Sequence, residues 1–138
     1  TERALQALKD VDVIIHAGDI GTPEVLGDLK KIAPVYPVRG NMDFGSWTRD
    51  LPESDVVELG EAVLYVLHDL HGLDLAPDAA GFQAVVTGHT HRAAAVRKNG
   101  VVYLNPGSAT FPKRGASATI ALLRIEGRTL DVEFVDLE

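Results

Sequence analysis

Two short apolar runs, Val11-Asp12-Val13-Ile14-Ile15 and Val35 to Val38, each lead into a loop of glycine and polar residues. Gly18-Asp19-Ile20-Gly21 follows the first, and Arg39-Gly40-Asn41-Met42-Asp43 follows the second. Runs this short and this rich in β-branched residues read as strands of a parallel sheet, buried on both faces. Parallel neighbours need a crossover, and the residues between supply one. Thr22-Pro23-Glu24 opens a helix, with Thr as N-cap, Pro at the first helical position and Glu at the positive end of the dipole. That helix is expected to run to about Ile32. The order strand, loop, helix, strand, loop confines the chain to a doubly wound α/β arrangement.

The remainder extends this pattern. Glu2 to Lys9 reads as a helix with Ala4, Leu5 and Leu8 on its apolar face. Asp55 to Leu59 and Ala62 to Leu67 read as strands separated by Gly60, Pro77 to Gly81 as a short helix, and Ala84 to Thr87 as a buried strand. Beyond Ala93 come two hairpins. Ala94 to Arg97 and Val101 to Leu104 flank Lys98-Asn99-Gly100, while Ala118 to Ile125 and Thr129 to Val135 flank Glu126-Gly127-Arg128. An α/β beginning and an antiparallel end imply two packed sheets with helices outside. With 138 residues, 46% of them hydrophobic, and no linker or repeat, the whole of 1–138 is expected to form a single domain around one core.

Charge and composition narrow the partners. The net charge is −7 and no basic run exists, which disfavours a nucleic acid. A small anion held through metal stays compatible, because a bound cation reverses the local potential. No apolar run approaches the roughly 20 residues of a membrane span, so no membrane partner is expected. The absence of cysteine excludes disulfides and thiolate metal sites and fits a cytoplasmic location. A homo-oligomer is compatible with all of this.

The polar residues that matter lie at strand ends. Asp19 and Asn41 follow the two opening strands, His68 ends the strand from Ala62, and His89 and His91 follow the strand from Ala84. In open α/β sheets ligands bind beyond the carboxyl ends of the strands, so these five can converge. A carboxylate, an amide oxygen and imidazoles together suit borderline divalent metals such as Mn, Fe, Zn or Ni. Taken singly, Gly18-Asp19 and Gly40-Asn41 are ordinary turn chemistry. Gly88-His89-Thr90-His91 is more specific, since two imidazoles beside a buried strand serve no packing need.

In that order, Gly18-Asp19, Gly40-Asn41, His68 and Gly88-His89-Thr90-His91 resemble the successive motifs of the calcineurin-like metallophosphoesterases. Asn105-Pro106-Gly107-Ser108 resembles the small YfcE-like phosphodiesterase branch. The resemblance runs from about Leu5 to the C-terminus. It implies a four-layer α/β/β/α sandwich, two mixed sheets flanked by helices. It also implies two divalent metal ions, with manganese expected and Ni, Fe, Zn or Mg compatible. Asp19 would bridge them, Asn41, His68 and His89 would complete one site, and His91 would serve the other. A metal-bridging hydroxide would attack the phosphorus of a small phosphoester.

Two departures qualify the resemblance. The superfamily opens with an Asp-x-His motif at the end of its first strand, and none precedes Leu5. Asp10 and Asp12 lie at the wrong end of their strand to replace it. The expectation is that this N-terminal strand is missing from the given chain, leaving one site with four ligands and the other with Asp19 and His91. The second departure is Met42, where many members carry a histidine that protonates the leaving group.

Further residues are candidates for substrate or supporting groups. His16 is expected to support the site rather than ligate, Arg39 to form a salt bridge rather than meet a phosphate, Asp43 to brace its own loop, and His71 either to line the mouth or to be a plain surface histidine. Phe44 and Trp47 are expected to pack the loop, and Asn105 to Ser108 to form a turn beside the metals. The leading function is a metal-dependent phosphodiesterase or phosphatase. The alternative is a non-catalytic protein-interaction scaffold, as in the retromer subunit of this fold, and the third reading is a nuclease.

Overall fold

The computed structural model describes residues 2–138. The first apolar run becomes strand β1 (Ile14–His16), which pairs in parallel with β2 (Val35–Pro37), Ile14 opposite Val35. Pairing starts at Ile14 because its amide donates to Pro34 O, just before the partner strand begins. Helix α1 (Glu2–Ala7) precedes β1, and α2 (Pro23–Lys30) makes the crossover, burying Leu26 and Leu29. Thr22 has the extended backbone of an N-cap, but its side chain makes no capping bond. Leu5, Leu8, Val11 and Ile32 pack with Ile14, Leu29 and Ala33 into an apolar layer between helices and sheet.

A second sheet contains β3 (Ser54–Leu59), β4 (Ala62–Leu67), β5 (Ala84–Val86), β6 (Ala93–Lys98) and β7 (Val101–Pro106) in the order β3-β4-β5-β7-β6. Its centre, β4-β5-β7, is parallel, and both edges are antiparallel. All three residues of β5 are buried, as expected for a central parallel strand covered on both faces. Strands β8 (Thr119–Glu126) and β9 (Thr129–Asp136) form a separate hairpin.

The main core lies between strand layers. Leu64, Val66, Ala84, Val86, Val102 and Leu104 of the large sheet meet Ala17 and Val38 at the ends of β1 and β2, and Leu130 of β9. On the opposite face, Leu67, Val85 and Val101 pack with Leu73, Tyr65 and Tyr103, and Phe82 approaches Tyr65 at 5.3 Å between ring centroids. The layers are therefore helix, sheet, sheet, and an outer layer of turns. Pro77 to Gly81, expected as a helix, is part of that layer. The Ala80 and Phe82 amides donate to Ala76 O and Pro77 O, and Gly81 reverses the chain at φ 85°. A segment this short cannot offset the cost of helix nucleation. No helix among the described residues is long and apolar enough to cross a membrane.

Candidate functional site

The loops after β1, β2, β4 and β5 meet at the carboxyl edge of the two sheets. Asp19, His89 and His91 all adopt left-handed backbone, with φ of 55°, 67° and 58°. Among the described residues, the other non-glycine residue in this region is Asn99, in the β6–β7 turn. Asp, Asn and His tolerate this conformation better than most residues, and such local strain gathers at functional sites. Left-handed residues on either side of Thr90 curl the loop after β5, so that both imidazoles reach the other strand ends.

Reciprocal bonds lock the first two loops together. Asp43, 2% exposed, accepts from Gly40 N at 2.8 Å in its own loop and reaches across to Ile20 N at 2.7 Å and Gly21 N at 3.0 Å. Asp19 returns the link by accepting from Met42 N at 2.9 Å. A Cβ at Gly40 would overlap the Asp19 amide and carboxylate, so the approach requires glycine there. Asp43 thus braces two loops rather than its own alone.

Four donor atoms converge beside this clamp. His68 Nδ1 donates to Ala17 O at 2.7 Å, which leaves the neutral ring a lone pair on Nε2. That Nε2 lies 2.8 Å from Asn41 Oδ1, 3.3 Å from Asp19 Oδ2 and 3.3 Å from His89 Nδ1. His89 Nδ1 is also 3.2 Å from Asn41 Oδ1. Electron-rich atoms crowded this closely repel unless a proton or a cation sits among them. Donors about 2.1 Å from a shared cation lie about 3.0 Å apart along an octahedral edge and about 3.4 Å along a tetrahedral one. Three of the observed separations, 3.2–3.3 Å, fall in that range and the fourth, 2.8 Å, lies just below it, so the donor set fits a divalent cation. Among the described residues no three His, Cys, Asp or Glu side chains form a metal cluster by themselves; the arrangement centres on the Asn41 amide oxygen.

His91 also approaches Asp19. Its Nδ1 donates to Phe111 O at 2.6 Å, and its Nε2 lies 3.7 Å from Asp19 Oδ2. Asp19 Oδ2 therefore lies near both imidazoles, 3.3 Å from His68 Nε2 and 3.7 Å from His91 Nε2.

The remaining candidates fall around this centre. His16 Nδ1 accepts from Gly18 N at 3.2 Å, which leaves its proton on Nε2. Burial pushes the His16 pKa below its ordinary value; Asp43 and Asp19 oppose that shift, and His68 adds to it. His16 supports the Gly18-Asp19 turn. Arg39 is exposed and makes no ion pair among the described residues, contrary to the expected salt bridge. With Asn41, His68, Glu53 and Tyr65 it lines an open cleft of about 450 Å³. His71 is exposed, with Nδ1 3.5 Å from Asp69. Phe44 is 68% exposed and does not pack its loop, while Trp47 is half-buried.

Sequence reasoning missed Asp69, and it placed Asn105 in a turn beside the site without its hold on the loop after β5. Asp69 approaches His89 Nε2 at 3.8 Å and caps the turn that carries His71. Its position directly after His68 was the available signal. Buried Asn105 holds the loop after β5 by donating to Gly88 O at 2.9 Å and Thr90 Oγ1 at 3.0 Å.

Comparison with known proteins adds an independent line. Residues 1–128 match the calcineurin-like phosphoesterase superfamily domain. A probable metallophosphoesterase of Methanothermobacter thermautotrophicus is 33% identical over 97% of this chain and 81% of its own. An archaeal phosphodiesterase structure superposes with a TM-score of 0.79 at 22% identity, covering 97% of this chain and 90% of that one. Vps29 of Entamoeba histolytica, complexed with zinc, superposes with a TM-score of 0.76 at 22% identity over 100% of this chain and 90% of that one. At such identities the two structures speak for the fold alone.

Proposed function

This chain belongs to the calcineurin-like phosphoesterase superfamily, and we propose that it is a divalent-metal-dependent phosphodiesterase or phosphatase acting on a small phosphoester. The observation that supports this reading most is the convergence of Asp19 Oδ2, Asn41 Oδ1, His68 Nε2 and His89 Nδ1. In this reading those four atoms hold one cation, and Asp19 and His91 contribute to a second. Manganese is the preferred metal, with Ni, Fe, Zn and Mg compatible, because mixed N/O donors select weakly among them. Cations held this way lower the pKa of bound water and neutralise charge on a phosphoryl group.

The protein's own part is to hold donors and substrate. Ala17 O fixes the His68 ring, and the Asp43 clamp keeps Asp19 and Asn41 in register. Arg39, which lines the cleft with Asn41, would meet a phosphate oxygen in this reading. Met42 cannot deliver a proton, so substrates whose alcohol leaves as a stable anion are favoured.

The test is Mn²⁺-dependent hydrolysis of bis-p-nitrophenyl phosphate, with His89→Ala as control. The His89 side chain is exposed, so its removal should leave the fold intact. Turnover that requires metal and disappears in the variant is the expected result. Turnover that survives the substitution sinks the site assignment. No turnover with any of the five metals would favour the scaffold reading, for which the exposed Met42, Phe44 and Phe111 offer apolar contact surface beside the site. The nuclease reading fits poorly with a net charge of −7 and would be signalled by salt-sensitive DNA binding.

A further inference from the structure

The Asn105-Pro106-Gly107-Ser108 segment at the end of β7 has no part in the chemistry above, yet its bonds lead into the site. Ser108 Oγ accepts from Thr110 N at 3.3 Å and from Phe111 N at 2.8 Å, curling the chain into a tight loop. That curl presents Phe111 O to His91 Nδ1. The loop is tied at both ends. Lys113 N donates to His91 O at 3.1 Å, Thr119 N donates to Ser108 O at 3.0 Å, and Thr119 Oγ1 donates to Pro106 O at 2.8 Å.

We propose that Ser108 is a positioning residue that selects the tautomer of His91. A carbonyl oxygen only accepts, so His91 bound to Phe111 O must carry its proton on Nδ1. Its Nε2 is then a lone pair, and that atom is the one turned toward Asp19. With the opposite tautomer an N–H would face the Asp19 carboxylate 3.7 Å away, and Nε2 would be closed to any cation. Ser108 does not touch His91. It acts by fixing the Phe111 peptide, the role that outer hydrogen-bond partners play for ligating histidines. The cation as the partner of Nε2 rests on the metal-dependent reading; the tautomer itself does not.

The experiment uses the full chain, ¹⁵N-labelled and metal-free, at a pH above the histidine range. Long-range ¹H–¹⁵N spectra report the His91 tautomer, and Zn²⁺ titration calorimetry reports affinity. Wild-type His91 should be a single Nδ1–H species. Ser108→Ala should give a mixture of tautomers and weaken the looser zinc equivalent by about tenfold or more, leaving the tighter one unchanged. Ser108→Thr, which keeps the hydroxyl, should restore both. An unchanged tautomer in Ser108→Ala overturns the proposal. So does a proportional loss of both equivalents together with lowered thermal stability, since that marks a merely structural role. Wild-type protein that binds no zinc refutes the metal-dependent reading instead, and the tautomer comparison then decides this proposal by itself.

Discussion

Removing the Asp43 carboxylate would leave the Ile20, Gly21 and Gly40 amides without their acceptor, two of these bonds being buried. Bonds to a charged acceptor contribute about 1.5–3 kcal/mol each, and a buried donor left unpaired costs about 1–3 kcal/mol. Asp43→Ala is therefore expected to destabilise the protein by about 3 kcal/mol or more, read as a fall in the urea midpoint at constant slope. A loss below about 1 kcal/mol would mean that water replaces the carboxylate and that the loops are held otherwise. At this scale the sequence was partly legible. Strand-end positions brought together Asp19, Asn41, His68, His89 and His91, because residue type and chain position both survive in the sequence. The reach of Asp43 into the neighbouring loop did not, and neither did the Phe111 carbonyl that orients His91. A backbone oxygen leaves no mark in side-chain patterns, and a buried Asp reads the same whether it braces one loop or two.

The elements carry these residues to the site, and α2, with β2, separates Asp19 from Asn41 along the chain. Its Gly27 lies mid-helix, outside the left-handed region, and a Cβ there would meet nothing within 4 Å. Glycine in a helix interior costs about 0.5–1 kcal/mol relative to alanine. Gly27→Ala should therefore stabilise the protein by about that amount, raising the thermal midpoint while leaving the site untouched. A lowered midpoint would show that α2 must flex or pack there. Strand positions followed from β-branched runs and hairpin signals, so β3, β4, β6, β7, β8 and β9 lie within a residue or two of expectation. Failures came where pairing rather than propensity sets the limits. The run from Val11 contributes only Ile14 and Ile15 to β1, since the partner strand begins opposite Ile14. The short 3₁₀ turns Ser46–Asp50 and Leu70–Gly72 follow no apolar period and were not foreseen.

Across the whole molecule, the proposed donors come from four strand ends spread over residues 19 to 89, so only the folded chain can bring them together. The order β3-β4-β5-β7-β6, which sets β5 beside both β4 and β7, was not legible in local sequence because it is decided by long-range packing. That same order brings His68 and His89 into contact, their rings edge to face at 5.1 Å. Metal binding at these donors, as proposed, would therefore be linked to global unfolding. An ion that binds only the folded state stabilises it by RT ln(1 + [L]/Kd), about 2.7 kcal/mol at a hundredfold excess over Kd. Urea unfolding with saturating Mn²⁺ should show a gain of about that size over unfolding in EDTA. His89→Ala should lose most of the gain while unfolding near the wild-type midpoint in EDTA, because His89 is exposed and contributes little packing. His68→Ala should lose the gain and also fall below wild type in EDTA, since its buried ring holds Ala17 O. If Mn²⁺ shifts neither wild type nor variant, the convergent donors are held by hydrogen bonds alone, and the metal-dependent reading fails. If it shifts all three equally, the ion binds elsewhere, and the four strand ends are not its site.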